Sequence, residues 1–240
     1  MERIDSYNKP IETIRIKGAS IKRIIIEPSI TEETEVYVNG NLSEYEIQLM
    51  GEVLKISTVH SRIMTISIDE MNTPKIEEMR ISIPSSLNPD FKIDAVGAMV
   101  VMDYKEPYTI RNLRLDGVKI DAQLTNVSGL IEVNSVNSSI WVTNFGGRIY
   151  SNGVSNTIHL TNTNNDVTVK LNGLSSQAYF NEGEAKANYR VQLAGLNGKM
   201  CYYADRRTSF GILNYTSPHI HGAPAVRVEG NGLSAKVSVN

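Results

Sequence analysis

The chain is written in short runs of alternating or β-branched apolar residues, and no stretch keeps the spacing of a long amphipathic helix. Ile11 to Ile16, Ile21 to Ile26, Val36 to Val38, Tyr45 to Leu49, Val53 to Val59, Ile63 to Ile68 and Met79 to Ile83 each predict a strand of a half-buried sheet. Asn39-Gly40 and Pro28, Pro74, Pro84 and Pro89 fall between these runs, where they suit hairpins and irregular connections.

From about residue 120 the pattern becomes periodic. At an offset of nine, Ile131, Ile140, Ile149, Ile158 and Val167 form one column, and Val133, Val142, Ser151, Leu160 and Val169 a second. Val127, Val136, Phe145, Val154 and Thr163 form a third. Thirteen of these fifteen positions are apolar where a hydrophobic fraction of 41% predicts roughly six, so the period is a structural signal. A stricter repeat lies at eighteen. Leu124-Thr-Asn126, Val142-Thr-Asn144 and Leu160-Thr-Asn162 align, as do Gly129, Gly147, Asn165 and Gly183.

Eighteen residues therefore make a coil of two short strands, each followed by a turn that takes Gly or Asn, the residues that tolerate positive φ. Coils of this kind stack in parallel at about 4.8 Å, with Asn126, Asn144 and Asn162 at equivalent turns where their amides can bond up the stack. The expected fold is all-β: a parallel β-solenoid, a right-handed β-helix with about 18 residues per regular coil and less regular N-terminal strands and hairpins. Residues 1–10 read as a tail. Residues 11–240 read as one domain, irregular over about 11–115, regularly coiled over about 116–172 and closed by strands over about 173–240.

Charge sharpens this division. Residues 1–90 hold 25 of the 50 charged side chains, whereas 122–169 hold only Glu132, Arg148 and Asp166. The net charge of -2 gives no overall basic field for nucleic acid. Cys201 is the only cysteine, so stability must come from packing and hydrogen bonds. The first ten residues lack the apolar run of a signal peptide, and no apolar run reaches the length of a membrane helix. The compartment expected on that basis is the cytoplasm, or the cell surface where an export signal is missing from this chain.

Val127-Ser-Gly-Leu-Ile-Glu-Val133, its echoes Phe145-Gly-Gly-Arg-Ile-Tyr-Ser151 and Thr163-Asn-Asn-Asp-Val-Thr-Val169, and Gly230-Asn-Gly-Leu-Ser-Ala-Lys-Val-Ser-Val239 carry a resemblance. They resemble the strand repeats of the bacterial DUF4097/DUF2807 candidate-adhesin families. Ile24-Ile-Ile26, Val36-Tyr-Val38, Leu54-Lys-Ile56 and Arg80-Ile-Ser-Ile-Pro84 follow the order such proteins show, so the resemblance spans about 20–239. It implies a β-helical domain whose function is poorly defined, with adhesin as a provisional label. Many turns here carry Asn or Ser where the most regular members carry Gly.

Chemistry is sparse. A calcium-binding nonapeptide roll needs a repeated Asp, and Phe145-Gly-Gly-Arg-Ile-Tyr150 has Tyr in that place. Glu132 and Asp166 read as lying on one face, nearly two coils and two residues apart, about 11 to 12 Å, too far for paired glycosidase carboxylates. His219 and His221 form a His-x-His with no third ligand near it, and Cys201 reads as inert core. Arg206-Arg207, near Lys199 and Asp205, reads as a small solvated basic tip. Neither a cofactor nor a metal is expected.

The outward positions remain. Leu130, Glu132, Arg148, Tyr150, Asp166 and Thr168 fall on one face; Ser139, Trp141, Thr157 and His159 fall on the other. Trp141, His159, Tyr150, Glu132 and Arg148 are the candidate ligand-binding residues, with Trp141 either a platform for a sugar ring or partner side chain, or covered by a neighbouring segment. The expected function is a non-catalytic, adhesin-like module presenting a flat surface to a protein or carbohydrate partner. The competing readings are a carbohydrate-active enzyme on a β-helix and a solenoid that self-associates end to end.

Overall fold

The computed structural model describes residues 1–18, 21–41, 45–58, 76–163, 165–183 and 186–240. Among these residues there are fifteen strands and no helix, and all the strands join one large, mostly parallel, unclosed sheet. None of the described residues forms a helix long and apolar enough to cross a membrane. The expected run Ile63 to Ile68, the end of the run at Val59, and Pro74 lie outside the described residues.

Four long strands build the middle: β9 (Ala98–Gly117), β10 (Ile120–Thr143), β11 (Gly146–Thr161) and β12 (Val167–Asn181), each parallel to the next. Between β10 and β11 the register is the eighteen-residue repeat: Ile131 faces Ile149, Val133 faces Ser151, and Ile140 faces Ile158. All six of these side chains are fully buried. Alternation thus sends one residue in two to the core, where each large aliphatic side chain stabilises the fold by about 1.5–3 kcal/mol.

The turns show why Gly and Asn recur. Asn126, Asn144 and Asn162 have φ of 54° to 56°, a left-handed conformation that Asn adopts more readily than other non-glycine residues. At Gly147 φ is +128°, and a Cβ there would lie 2.2 Å from the Gly129 carbonyl oxygen of the preceding rung. Asn144 Nδ2 donates to Asn126 Oδ1 at 2.8 Å, and Asn126 Nδ2 continues to the Tyr104 carbonyl at 2.6 Å. A second ladder was not foreseen. Asn152 donates to Asn134 at 2.9 Å, Asn172 to Asn152 at 3.0 Å, and Asn231 to Asn172 at 3.3 Å.

Two expectations about the periodicity need correction. From β11 to β12 the offset grows to twenty: Ile149 faces Val169, not Val167, and Leu160 faces Phe180. The turn from Asn162 to Val167 is two residues longer than that from Asn144 to Gly147, and a two-residue shift leaves the inward parity intact, so Val167 and Val169 are both buried. The third column is also not uniform. Val127 and Phe145 are buried, but Val136 and Val154 are exposed at a corner, in line with Val118, Leu174, Leu233 and Leu196. The two corners of a coil differ, so nine is only an approximate half-repeat.

Parallel pairing also begins well before residue 116. β2 (Thr13–Gly18) and β3 (Arg23–Pro28) lie parallel to β8 (Asp90–Ala95) and β9, and on their other side to β6 (Val53–Thr58) and β7 (Ile76–Ile83). β1 (Glu2–Tyr7), from the segment expected as a tail, pairs antiparallel with β4 (Thr34–Gly40). Asn39-Gly40 closes no hairpin, because β4 pairs with β1 and β7. The tight turn is Gly51-Glu52, which joins β5 (Tyr45–Met50) to β6.

The C-terminal end repeats this interleaving. β13 (Asn188–Tyr202) and β14 (Asp205–Thr216) form an antiparallel hairpin, and β15 (Ala225–Val239) returns to lie between β12 and β13, parallel to both. The C-terminal strand is therefore held inside the stack, and β2 and β3 likewise lie between later strands, whereas β1 stands at the edge beyond β4. One cluster of buried apolar side chains runs from Ile11 to Val239.

Candidate functional site

Trp141 and His159 stand on adjacent rungs of one face, as their eighteen-residue separation requires. Their ring centroids are 5.7 Å apart and their planes within 6°. The lengthened register then places Tyr179, rather than Gln177, next to His159, at 5.0 Å and 11°. These separations are close to the rung spacing of about 4.8 Å, as expected for side chains stacked on neighbouring parallel strands. The three rings form a row of near-parallel planes along the stack. Trp141 is 39% exposed, so no described segment covers it.

Uncharged polar rows flank the rings. Ser139, Thr157 and Gln177 lie on one side and Thr143, Thr161 and Asn181 on the other, in register with the aromatic column. Gln177 Oε1 accepts from the Tyr179 hydroxyl, and Lys236 Nζ sits 3.3 Å from that hydroxyl and 5.0 Å from the ring centroid. Tyr179 belongs to this row but escaped the sequence reading. The signal for it was Asn152-Gly-Val-Ser155 against Asn172-Gly-Leu-Ser175, twenty residues on.

Burial between its two aromatic neighbours lowers the pKa of His159 below the ordinary imidazole value of 6.5. The folded chain thus holds this proton less tightly than the unfolded chain. The stabilisation is present above about pH 6.5 and is lost as pH falls through that value toward the folded pKa. An NMR titration of the imidazole should give a midpoint below 6.5, and Trp141→Ala should move it back upward by rehydrating the ring. A midpoint at or above 6.5 in the parent chain rules this out.

Glu132, Tyr150 and Arg148 are not with these rings. Glu132 faces Tyr150 across the β10–β11 pair, on the run of the coil before the corner at 135–137, and Arg148 precedes Tyr150 by two residues on the same face. Glu132 accepts from Asn112 Nδ2 at 3.4 Å. Lys170 Nζ lies 5.7 Å from the Tyr150 centroid and pairs with Glu229 at 3.2 Å. The five candidate residues therefore divide between two surfaces.

Asp166 stands in the turn before β12, where its Oδ1 accepts the Ala225 N–H at 2.8 Å and anchors the start of β15. In the observed register it is two rungs and four residues from Glu132, about 16 Å by strand geometry. His219 and His221 are exposed in the connection between β14 and β15, and no three His, Cys, Asp or Glu among the described residues are grouped to hold a metal. Cys201 is half-buried rather than core. It follows Tyr179 and Ser238 outward along the aromatic column, and the next rung is Arg206, which lies in β14 and not in a loop.

No protein-family model and no curated protein matches the chain. Among solved structures it is similar to a candidate cell adhesion protein from Clostridium sporogenes, at 10% identity over 99% of each chain with a TM-score of 0.33. It is similar to a candidate adhesin from Bacteroides fragilis, at 12% identity over 100% of this chain and 97% of that one, with a TM-score of 0.43. A candidate lipid-binding protein from Parabacteroides distasonis has 12% identity over 98% of this chain and 95% of that one, with a TM-score of 0.35. The functional reading therefore rests on the chain's own residues.

Proposed function

We propose that the protein is a non-catalytic, adhesin-like binding module. In this reading the chain is one right-handed parallel β-solenoid domain of the DUF4097/DUF2807 type, and its partner is a carbohydrate held across the Trp141, His159 and Tyr179 rings. The observation that carries it is the stacked, partly exposed aromatic row between two rows of hydroxyls and amides. Ring faces match the apolar faces of sugars, and the flanking Ser, Thr, Gln and Asn side chains can bond to sugar hydroxyls. The underlying sheet is hydrogen-bonded rung to rung, so the row is pre-organised and little ordering entropy opposes binding.

Trp141→Ala is the direct test. Binding to a glycan array should fall by about tenfold or more, while stability changes by only about 1–2 kcal/mol, below the roughly 3–5 kcal/mol of a fully buried aromatic. Trp141 is the only tryptophan, so its fluorescence reports the site directly. Emission should be red-shifted and quenched by iodide in the free protein, and should shift to the blue with bound glycan. Unchanged array binding by the variant would defeat the reading.

A further inference from the structure

The aromatic row does not end at Tyr179. The next rungs of the same face form a groove of about 340 Å³ between β13, β14 and β15, walled by Lys199, Arg206, Arg207 and Lys236 around Cys201 and Ser238. Register makes this groove continuous with the rings: Tyr179, Ser238, Cys201 and Arg206 are successive members of one column, and Gln177, Lys236, Lys199 and Thr208 of the column beside it.

The cations here are poorly compensated. Arg207 is engaged, by Asp205 at 3.0 Å and by the Tyr215 ring at 5.1 Å. Lys199 and Arg206 have no carboxylate partner among the described residues, and Lys236 has only Tyr179. Lys199 and Lys236 are moreover direct cross-strand neighbours, a like-charge pairing that weakens a sheet. A protein with a net charge of -2 thus sets three cations with no carboxylate partner among the described residues around one groove, its wall mostly apolar, at the end of an aromatic row.

Resting on the carbohydrate reading above, we infer that the ligand is an acidic glycan, with sugar rings over Trp141, His159 and Tyr179 and a carboxylate bound by Lys199, Lys236 and Arg206. Trp141 to Arg206 spans five rungs, about 24 Å, so the ligand is an oligosaccharide and not a single sugar. A single-stranded nucleic acid also uses rings and cations, but it needs a cation near every phosphate along its path. Here the rows beside Trp141 and His159 are uncharged and the cations lie at one end only.

Oligogalacturonate and its methyl ester, titrated against the full chain by calorimetry, separate the two components, because esterification removes the charge and keeps the chain of sugars. The acid should bind about tenfold or more tightly than the ester, with an advantage that shrinks as salt rises. Lys199→Gln combined with Arg206→Gln should remove most of the advantage, leaving only what Lys236 supplies, and keep ester binding intact, which also shows that the variant is folded. Trp141→Ala should weaken both ligands. Equal binding of acid and ester, or an advantage undiminished by the double substitution, overturns the acidic-glycan proposal alone. Failure of the parent chain to bind either oligomer overturns it together with the carbohydrate reading. Tighter binding of oligothymidylate than of the acid overturns it in favour of nucleic acid.

Discussion

Deleting residues 225–240 should unfold the chain from β13 onward, although a terminal deletion in a simply wound stack would remove only a cap. β15 is the last strand in sequence but an interior strand in space, paired with β12 along one edge and β13 along the other. Its Val226, Val228, Val237 and Val239 are fully buried. At about 1.5–3 kcal/mol for each valine, their loss is on the order of 6 kcal/mol or more, comparable to the 5–15 kcal/mol that holds a whole domain together. The deletion also leaves the β13–β14 hairpin without a neighbour, and an isolated hairpin is marginal in water. Hydrogen exchange should show β13 and β14 amides unprotected and β12 exposed as a new edge prone to aggregation. A truncated chain that keeps its thermal midpoint and protects β13 would refute the interleaved strand order.

Ile140→Asp and Ile149→Asp should each abolish cooperative unfolding at neutral pH. Both side chains are fully buried in the column that also holds Ile131 and Ile158, where a carboxylate finds neither water nor a cation. Burying it costs several kcal/mol beyond the loss of the isoleucine itself, a large fraction of the total stability. Val154→Asp is the control. Val154 shares a sequence column with the buried Phe145 but stands at the exposed corner, so its replacement should change stability by less than about 1 kcal/mol. Circular dichroism melts of the three variants check both statements. An unchanged midpoint in both isoleucine variants defeats the assigned register, and collapse of the Val154 variant defeats the assigned corner.

The basic end of the candidate site was legible only in fragments. Lys199 and Arg206-Arg207 stood out as a basic cluster, but their relation to Trp141 depends on β15 supplying Ser238 and Lys236 between Tyr179 and Cys201. Nothing local to residues 199–207 points to residues 236–238. Tyr179 was nearer to hand: Asn-Gly-Val-Ser at 152, Asn-Gly-Leu-Ser at 172 and Asn-Gly-Leu-Ser at 231 mark one corner of three successive rungs. Following that motif instead of the eighteen-residue period would have given both the Tyr179 register and the pairing of β15 with β12.

Residue pattern alone was enough for the all-β class, the inward columns through Ile131, Ile140, Ile149 and Ile158, the left-handed Asn at 126, 144 and 162, and the adjacency of Trp141 and His159. Each follows from local rules: alternation of period two, the low cost of positive φ at Asn, and a constant coil length over two turns. The longer turn before β12, the place of β15 inside the stack, and the rows of side chains that share a face beyond Tyr179 emerge only from long-range strand pairing. A strand with apolar residues at alternate positions fits against any other such strand, and a shift of two residues keeps every side chain on its proper side. Which strand neighbours which is set by hydrogen bonding and packing between segments far apart in the chain, and local pattern carries no record of that choice.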